Sequence, residues 1–147
     1  MARSRTRSGN LSGVQEVTLD GQNGRFLVLR GTHLRDQEGG WSYAASLVIP
    51  EGTVTTEVYD QGNWLGGFMR ELADNWQGFE STKEFASLEG QLSLACTHDG
   101  RGTVECRVTL RQPSPPEWLF EAVLLFGAGA HLDRLAGEVE ALVLGTT

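Results

Sequence analysis

Apolar and polar residues alternate along most of the chain, and the period of that alternation changes in two places. Residues 14–20 carry Val17 and Leu19 at alternate positions and predict a first strand, followed by a turn at Gly21-Gln22-Asn23-Gly24. Residues 25–32 put Phe26 and Val28 on one side and Leu27 and Leu29 on the other, as in a strand covered on both faces. After the polar stretch 36–40, Trp41, Tyr43, Ala45, Leu47 and Ile49 share one parity, a well-patterned strand. Pro50-Glu51-Gly52 turns the chain, and the β-branched run 53–59 pairs back.

The period then becomes helical. Trp64, Phe68, Leu72 and Trp76 recur every four residues with Leu65, Met69 and Ala73 beside them, while Arg70, Glu71, Asp74 and Asn75 fall on the other side. Gly78 stands where a C-terminal cap is expected. Gly66-Gly67 lies inside the first turn, so the helix begins after the pair or the pair lets a neighbouring backbone come close. The period of two returns over 84–88, 91–97, 103–111 and 117–126. A second helical stripe runs from Ala130 through Leu132, Leu135, Ala136, Val139, Leu142 and Val143. Four strands, a helix, three or four strands and a helix, joined mostly by short turns, predict an α+β fold. Its form is a single mostly antiparallel sheet of about seven or eight strands, with one helix mid-chain and one C-terminal. The alternation of strands and helices is too sparse for a parallel βαβ protein.

The strands 91–97 and 103–111 read as a hairpin. Leu92, Leu94 and Cys96 must share a face with Val104, Cys106, Val108 and Leu110. A three-residue loop at Asp99-Gly100-Arg101 keeps that parity and sets Cys96 opposite Val104. Cys106 is then diagonal to Cys96, about 7–8 Å away. Two buried reduced thiols are the expectation from that register.

Composition adds compartment and charge. The chain has 147 residues, enough for one domain, with 39% hydrophobic and 21% charged residues. Its net charge is −7, but Arg3, Arg5 and Arg7 all lie at the start, and the remainder carries nine basic against nineteen acidic residues, a net of −10. We expect residues 1–10 to form a disordered basic arm and residues 11–147 a single α+β domain. That arm lacks the apolar core of a signal peptide, and no window is apolar enough for a membrane span, so a cytoplasmic protein is expected. An acidic body argues against nucleic acid as a partner and suits a basic protein.

Catalytic patterns are sparse. His33, His98 and His131 lie in different elements without ligand spacing, and no Cys-x2-Cys or His-x3-His is present, so neither a metal nor a cofactor is expected. His98-Asp99 sits at a hairpin tip and reads as a turn. Phe126-Gly127-Ala128-Gly129-Ala130-His131-Leu132 follows a strand and opens a helix, as a dinucleotide fingerprint would. However, Leu132 occupies the third glycine position and no strand follows. Gly-x-Ser-x-Gly and the P-loop are absent. With no nucleophile–base pair, catalysis is not expected.

A recognition surface is the remaining chemistry. Glu51, Glu57 and Asp60 flank one strand, and Glu71 and Asp74 lie three apart on the open face of the first helix. Trp41 and Trp118 each open a strand, where a partly exposed ring can anchor a partner. Trp64 and Trp76, on the helical stripe, are expected in the core.

The helix end Glu71-Leu72-Ala73-Asp74-Asn75-Trp76-Gln77-Gly78-Phe79 and the hairpin His98-Asp99-Gly100-Arg101-Gly102-Thr103-Val104 are followed by Trp118 before an apolar strand. The Leu132/Leu135/Val139/Leu142 helix completes a pattern that resembles a bacterial family of unknown function. The element order is similar to that of the WapI-type immunity proteins of polymorphic toxin systems. The resemblance covers residues 25–144, and its motifs are structural, so no active-site residues carry over. It implies a small acidic cytoplasmic protein that binds and blocks a basic toxin. An accessory or homo-oligomerising domain without catalysis is the alternative.

Overall fold

The structure, a computed structural model, describes residues 16–33, 40–62 and 64–144. The basic arm, 1–10, lies outside the described residues, as do the first two positions of the strand expected from Val14. The elements follow in the order β1 (Glu16–Asp20), β2 (Phe26–His33), β3 (Gly40–Ile49), β4 (Gly52–Gln61), α1 (Trp64–Asp74), β5 (Lys83–Ala86), β6 (Leu92–His98), β7 (Thr103–Gln112), β8 (Trp118–Gly127) and α2 (Ala130–Leu144). The glycine pair lies within α1, with Gly66 buried and Gly67 open to solvent.

The strands pair antiparallel in chain order, but as two sheets, β1-β2-β3-β4 and β5-β6-β7-β8, and not as the single sheet expected. Strand spacing explains the division. Eight strands side by side span roughly 35 Å, and two helices about 10 Å wide each would cover little more than half of one face. Split in two, each sheet lends its apolar face to the same interior. Leu27, Leu29, Tyr43, Leu47 and Val58 of the first sheet join Leu94, Val108, Leu124 and Phe126 of the second. Leu65, Met69 and Leu72 of α1 and Leu135, Val139 and Leu142 of α2 complete one core.

Two polar clasps hold the sheets together. In the β1–β2 turn, Gln22 N–H donates to Leu125 O at 2.7 Å, Asn23 Nδ2 donates to Val123 O at 2.9 Å, and Leu125 N–H donates to Asn23 Oδ1 at 3.3 Å. The turn thus stands in for a strand beside the end of β8. In the second clasp Asp60, on β4, accepts from the Leu88 N–H at 2.8 Å and from the Tyr43 hydroxyl at 3.2 Å.

The β6–β7 hairpin corrects the expected register by two residues. Asp99 N–H bonds Thr103 O, so the loop is 100–102, one position later than expected, with Gly100 and Gly102 both at positive φ. The Asp99 carboxylate holds the turn by accepting from the Arg101 and Thr103 N–H groups, and these two bonds hold its carboxyl below the usual range. Parity survives the shift, but Cys96 now faces Cys106 directly, with Cα atoms 4.1 Å apart and a disulfide between them. The expected reduced pair is therefore replaced by a buried crosslink. Disulfides persist mainly in oxidising compartments. No helix among the described residues is long and apolar enough to cross a membrane. Closing a loop of this length constrains the unfolded chain, so reduction should lower stability by about 2–3 kcal/mol. Denaturant unfolding with and without a reductant measures it, and coincident curves would show the bond to be energetically idle.

Candidate functional site

The residues expected to form one recognition surface separate into three environments. Asp60 is fully buried in its clasp and Trp41 is 2% exposed, so neither can meet a partner. Both face inward because β3 and β4 carry them on the parity shared with Tyr43 and Val58. Glu57 is exposed on the outer face of the first sheet, and Trp118 is half-buried at the start of β8, packed against the core. Glu71 and Asp74 remain together, exposed on α1.

The tryptophans expected inside are the ones outside. Trp64 is 45% and Trp76 51% exposed. An α-helix turns about 100° per residue, so a spacing of four drifts by roughly 40° at each step. On that count Trp64 falls outside the buried stripe of Leu65, Phe68, Met69, Leu72 and Ala73, while Trp76, which an unbroken helix would carry into the stripe, lies beyond the helix end at Asp74. The outward face of α1 thus reads Trp64, Gly67, Glu71 and Asp74, with Trp76 just beyond the helix end. Helical drift is the sequence signal for Trp64, and the helix end at Asp74 accounts for Trp76.

This face is held rigidly. On the inner margin, Arg70 bonds Glu140 of α2 at 2.8 Å and Asp133 at 2.8 Å, which hold the guanidinium well above its ordinary pKa, Glu140 first. Lys83 of β5 reaches Glu71 at 2.8 Å and lies over the Phe79 ring at 5.3 Å. The segment after α1 is pinned by its own C-terminal bonds, Asn75 N–H to Glu71 O and Gly78 N–H to Asn75 O. His98 holds it from the second sheet. Its Nδ1 accepts the Gly100 N–H at 2.8 Å, which fixes the tautomer, so Nε2 donates to Trp76 O at 2.9 Å. The hairpin-tip histidine is a brace for Trp76. His131 is used similarly: Nδ1 accepts from the Gly127 N–H, and Nε2 faces Asp20.

A groove of about 430 Å³ opens beside Trp76, lined by Ala73, Asp74, Gly129, Ala130 and Asp133. Of its two carboxylates, Asp133 is shared with Arg70, and Asp74 forms no ion pair among the described residues. An aromatic face next to a free carboxylate suits a guanidinium or ammonium group, through both ion pairing and cation–π attraction. No cluster of three metal-ligating side chains occurs among the described residues.

A family model described as a family of unknown function, DUF6228, matches residues 18–145. No curated protein and no solved structure matches the chain.

Proposed function

The chain belongs to the DUF6228 family, whose description assigns no activity, and we propose from its surface that it is a binding protein that docks a basic protein partner on the outward face of α1. The observation that carries this reading is the pair of tryptophans exposed at the two ends of that face, with Glu71 and Asp74 between them. Exposed tryptophans are unusual on a surface that needs none, and tryptophan is the residue most enriched where truncation weakens binding strongly. Open Gly67 leaves room for a partner side chain or backbone to approach the helix. The charge of the body, net −10 outside the first seven residues, speeds encounter with a cationic partner.

The immunity type is the form of binding we favour, in which the protein occludes a basic toxin stoichiometrically. The test is co-expression with candidate basic toxin domains, scored as protection, together with titration calorimetry. Trp64→Ala and Trp76→Ala should each weaken binding by roughly 10- to 100-fold while leaving the melting temperature nearly unchanged. Asp74→Lys should slow association and reduce its salt dependence. Full protection by a variant carrying all three changes would refute this face as the site.

A further inference from the structure

We propose that the outer edge of β8 over residues 119–123, unpaired among the described residues, takes up an extended acidic peptide segment of a partner protein as an added strand. The site is separate from the α1 face and does not depend on that reading.

Backbone alternation defines the edge. In an antiparallel pair, successive residues direct their N–H and C=O groups to opposite sides of the strand. The Asn23 clasp shows which residues of β8 point away from β7: Val123 O, Leu125 N and Leu125 O are all engaged by the β1–β2 turn. The N–H and C=O groups of Leu119 and Glu121, and the N–H of Val123, therefore point to the same side. Among the described residues none of these five groups has a partner. They extend for about 14 Å, the length of a short strand, and an unpaired edge of this kind templates strand addition.

A groove of about 380 Å³ runs along this edge. One wall is β8 itself (Glu121, Ala122, Val123), and the other comes from the first sheet, with Arg25 before β2 and Ile49 at the end of β3. Arg25 identifies the occupant. Its Nη1 reaches only the Asn23 carbonyl, at 3.5 Å, and no carboxylate pairs with it among the described residues. The nearby acid, Glu121, is already held by Arg107 at 3.3 Å and by the Thr109 hydroxyl at 2.9 Å. In a chain with an excess of acids, the groove presents an uncommitted guanidinium, so the matching segment brings its own Asp or Glu. Leu119, 64% exposed, adds an apolar contact for a side chain of the added strand. A second copy pairing β8 with β8 would bring Glu121, which is already bound, and the exposed Glu117 just before the strand, so the concentration dependence below separates that case from a partner segment.

The probes are acetylated, amidated peptides of alternating threonine and valine, about seven residues long, with one glutamate scanned through each position. Hydrogen exchange of the Leu119, Glu121 and Val123 amides should slow about tenfold or more with at least one peptide. Replacing its glutamate by glutamine should weaken binding about fivefold or more, and Arg25→Gln protein should no longer distinguish the two peptides. N-methylation of one of the two alternating sets of peptide amides, the set facing β8, should abolish binding, because it removes the strand hydrogen bonds, whereas the other set should be tolerated. Unchanged exchange at millimolar concentration of every peptide would overturn the proposal, as would equal binding by peptides N-methylated on either set. Equal affinity for the Glu and Gln peptides overturns the acidic class. Protection that rises with protein concentration alone assigns the edge to a second copy instead.

Discussion

Trp41→Ala is expected to lower stability by about 4 kcal/mol, whereas Trp41→Phe should change it by no more than about 1 kcal/mol. Trp41 is 2% exposed and stacks on Tyr43 with ring centroids 4.5 Å apart. Alanine leaves a cavity the size of an indole in a core shared by two sheets and two helices, which cannot all close on it. Phenylalanine also loses volume, but it removes a liability. The Trp41 indole N–H is buried without a hydrogen-bond partner among the described residues, and an unmet buried donor costs about 1–3 kcal/mol. The two effects of the phenylalanine oppose each other. Guanidinium unfolding of the three proteins decides the matter, and a Phe variant as unstable as the Ala variant would show the indole nitrogen to be satisfied.

Asp60→Ala is expected to cost about 4 kcal/mol, because it strands two groups at once, the Tyr43 hydroxyl and the Leu88 N–H. Asp60→Asn should cost less, since the amide oxygen can still accept from Leu88. Burial raises the Asp60 carboxyl above the ordinary 3.8, against the opposing pull of the Leu88 and Tyr43 hydrogen bonds. The sign for stability follows from that elevation. The folded state takes up this proton more readily than the unfolded one, so the contribution is fully present below pH 3.8 and is lost as pH rises through the elevated folded value. Relative to Asp60→Asn, wild type should therefore gain stability on acidification across that window. Asp20 runs the other way. Burial raises its carboxyl, but the Arg134 hydrogen bond with its smaller companions outweighs this and leaves it below 3.8. Its contribution is present above 3.8 and is lost as pH falls through the depressed value. Subtracting the Asp60→Asn unfolding curves from wild type isolates the first trend, and a flat difference would mean that Asp60 titrates normally.

Most of the secondary structure was legible because period carries it. Every strand and helix expected from alternation is present, and the ends that fall within the described residues are displaced by no more than two residues. Three things were not legible. The division into two sheets depends on whether β4 pairs with β5, and alternation within a strand is silent about its neighbours. The hairpin register turned on whether Asp99 opens the loop or closes the ladder below it, and a step of two residues preserves every face. Only the cysteines were sensitive to that step, moving from a diagonal to a facing pair. Exposure at the site was inverted for the tryptophans. Trp41 begins a strand that is central in its sheet, while Trp64 sits at the margin of a helical stripe and Trp76 beyond the helix end, and residue type alone favours neither position. Glu71 and Asp74 were correctly placed on an open helix face, because polarity opposite an apolar stripe is the most direct signal a sequence carries.

The Asn23 clasp has a kinetic meaning. Each sheet is a meander whose strands pair only with their neighbours in sequence, so each half of the chain can acquire its ladder through short, fast loop closures. The clasp joins residues 100 and 102 positions apart. Closing so long a loop is entropically costly before any contact rewards it. The search for the native state thus narrows to one docking event, in which a preformed turn finds the margin of a preformed sheet.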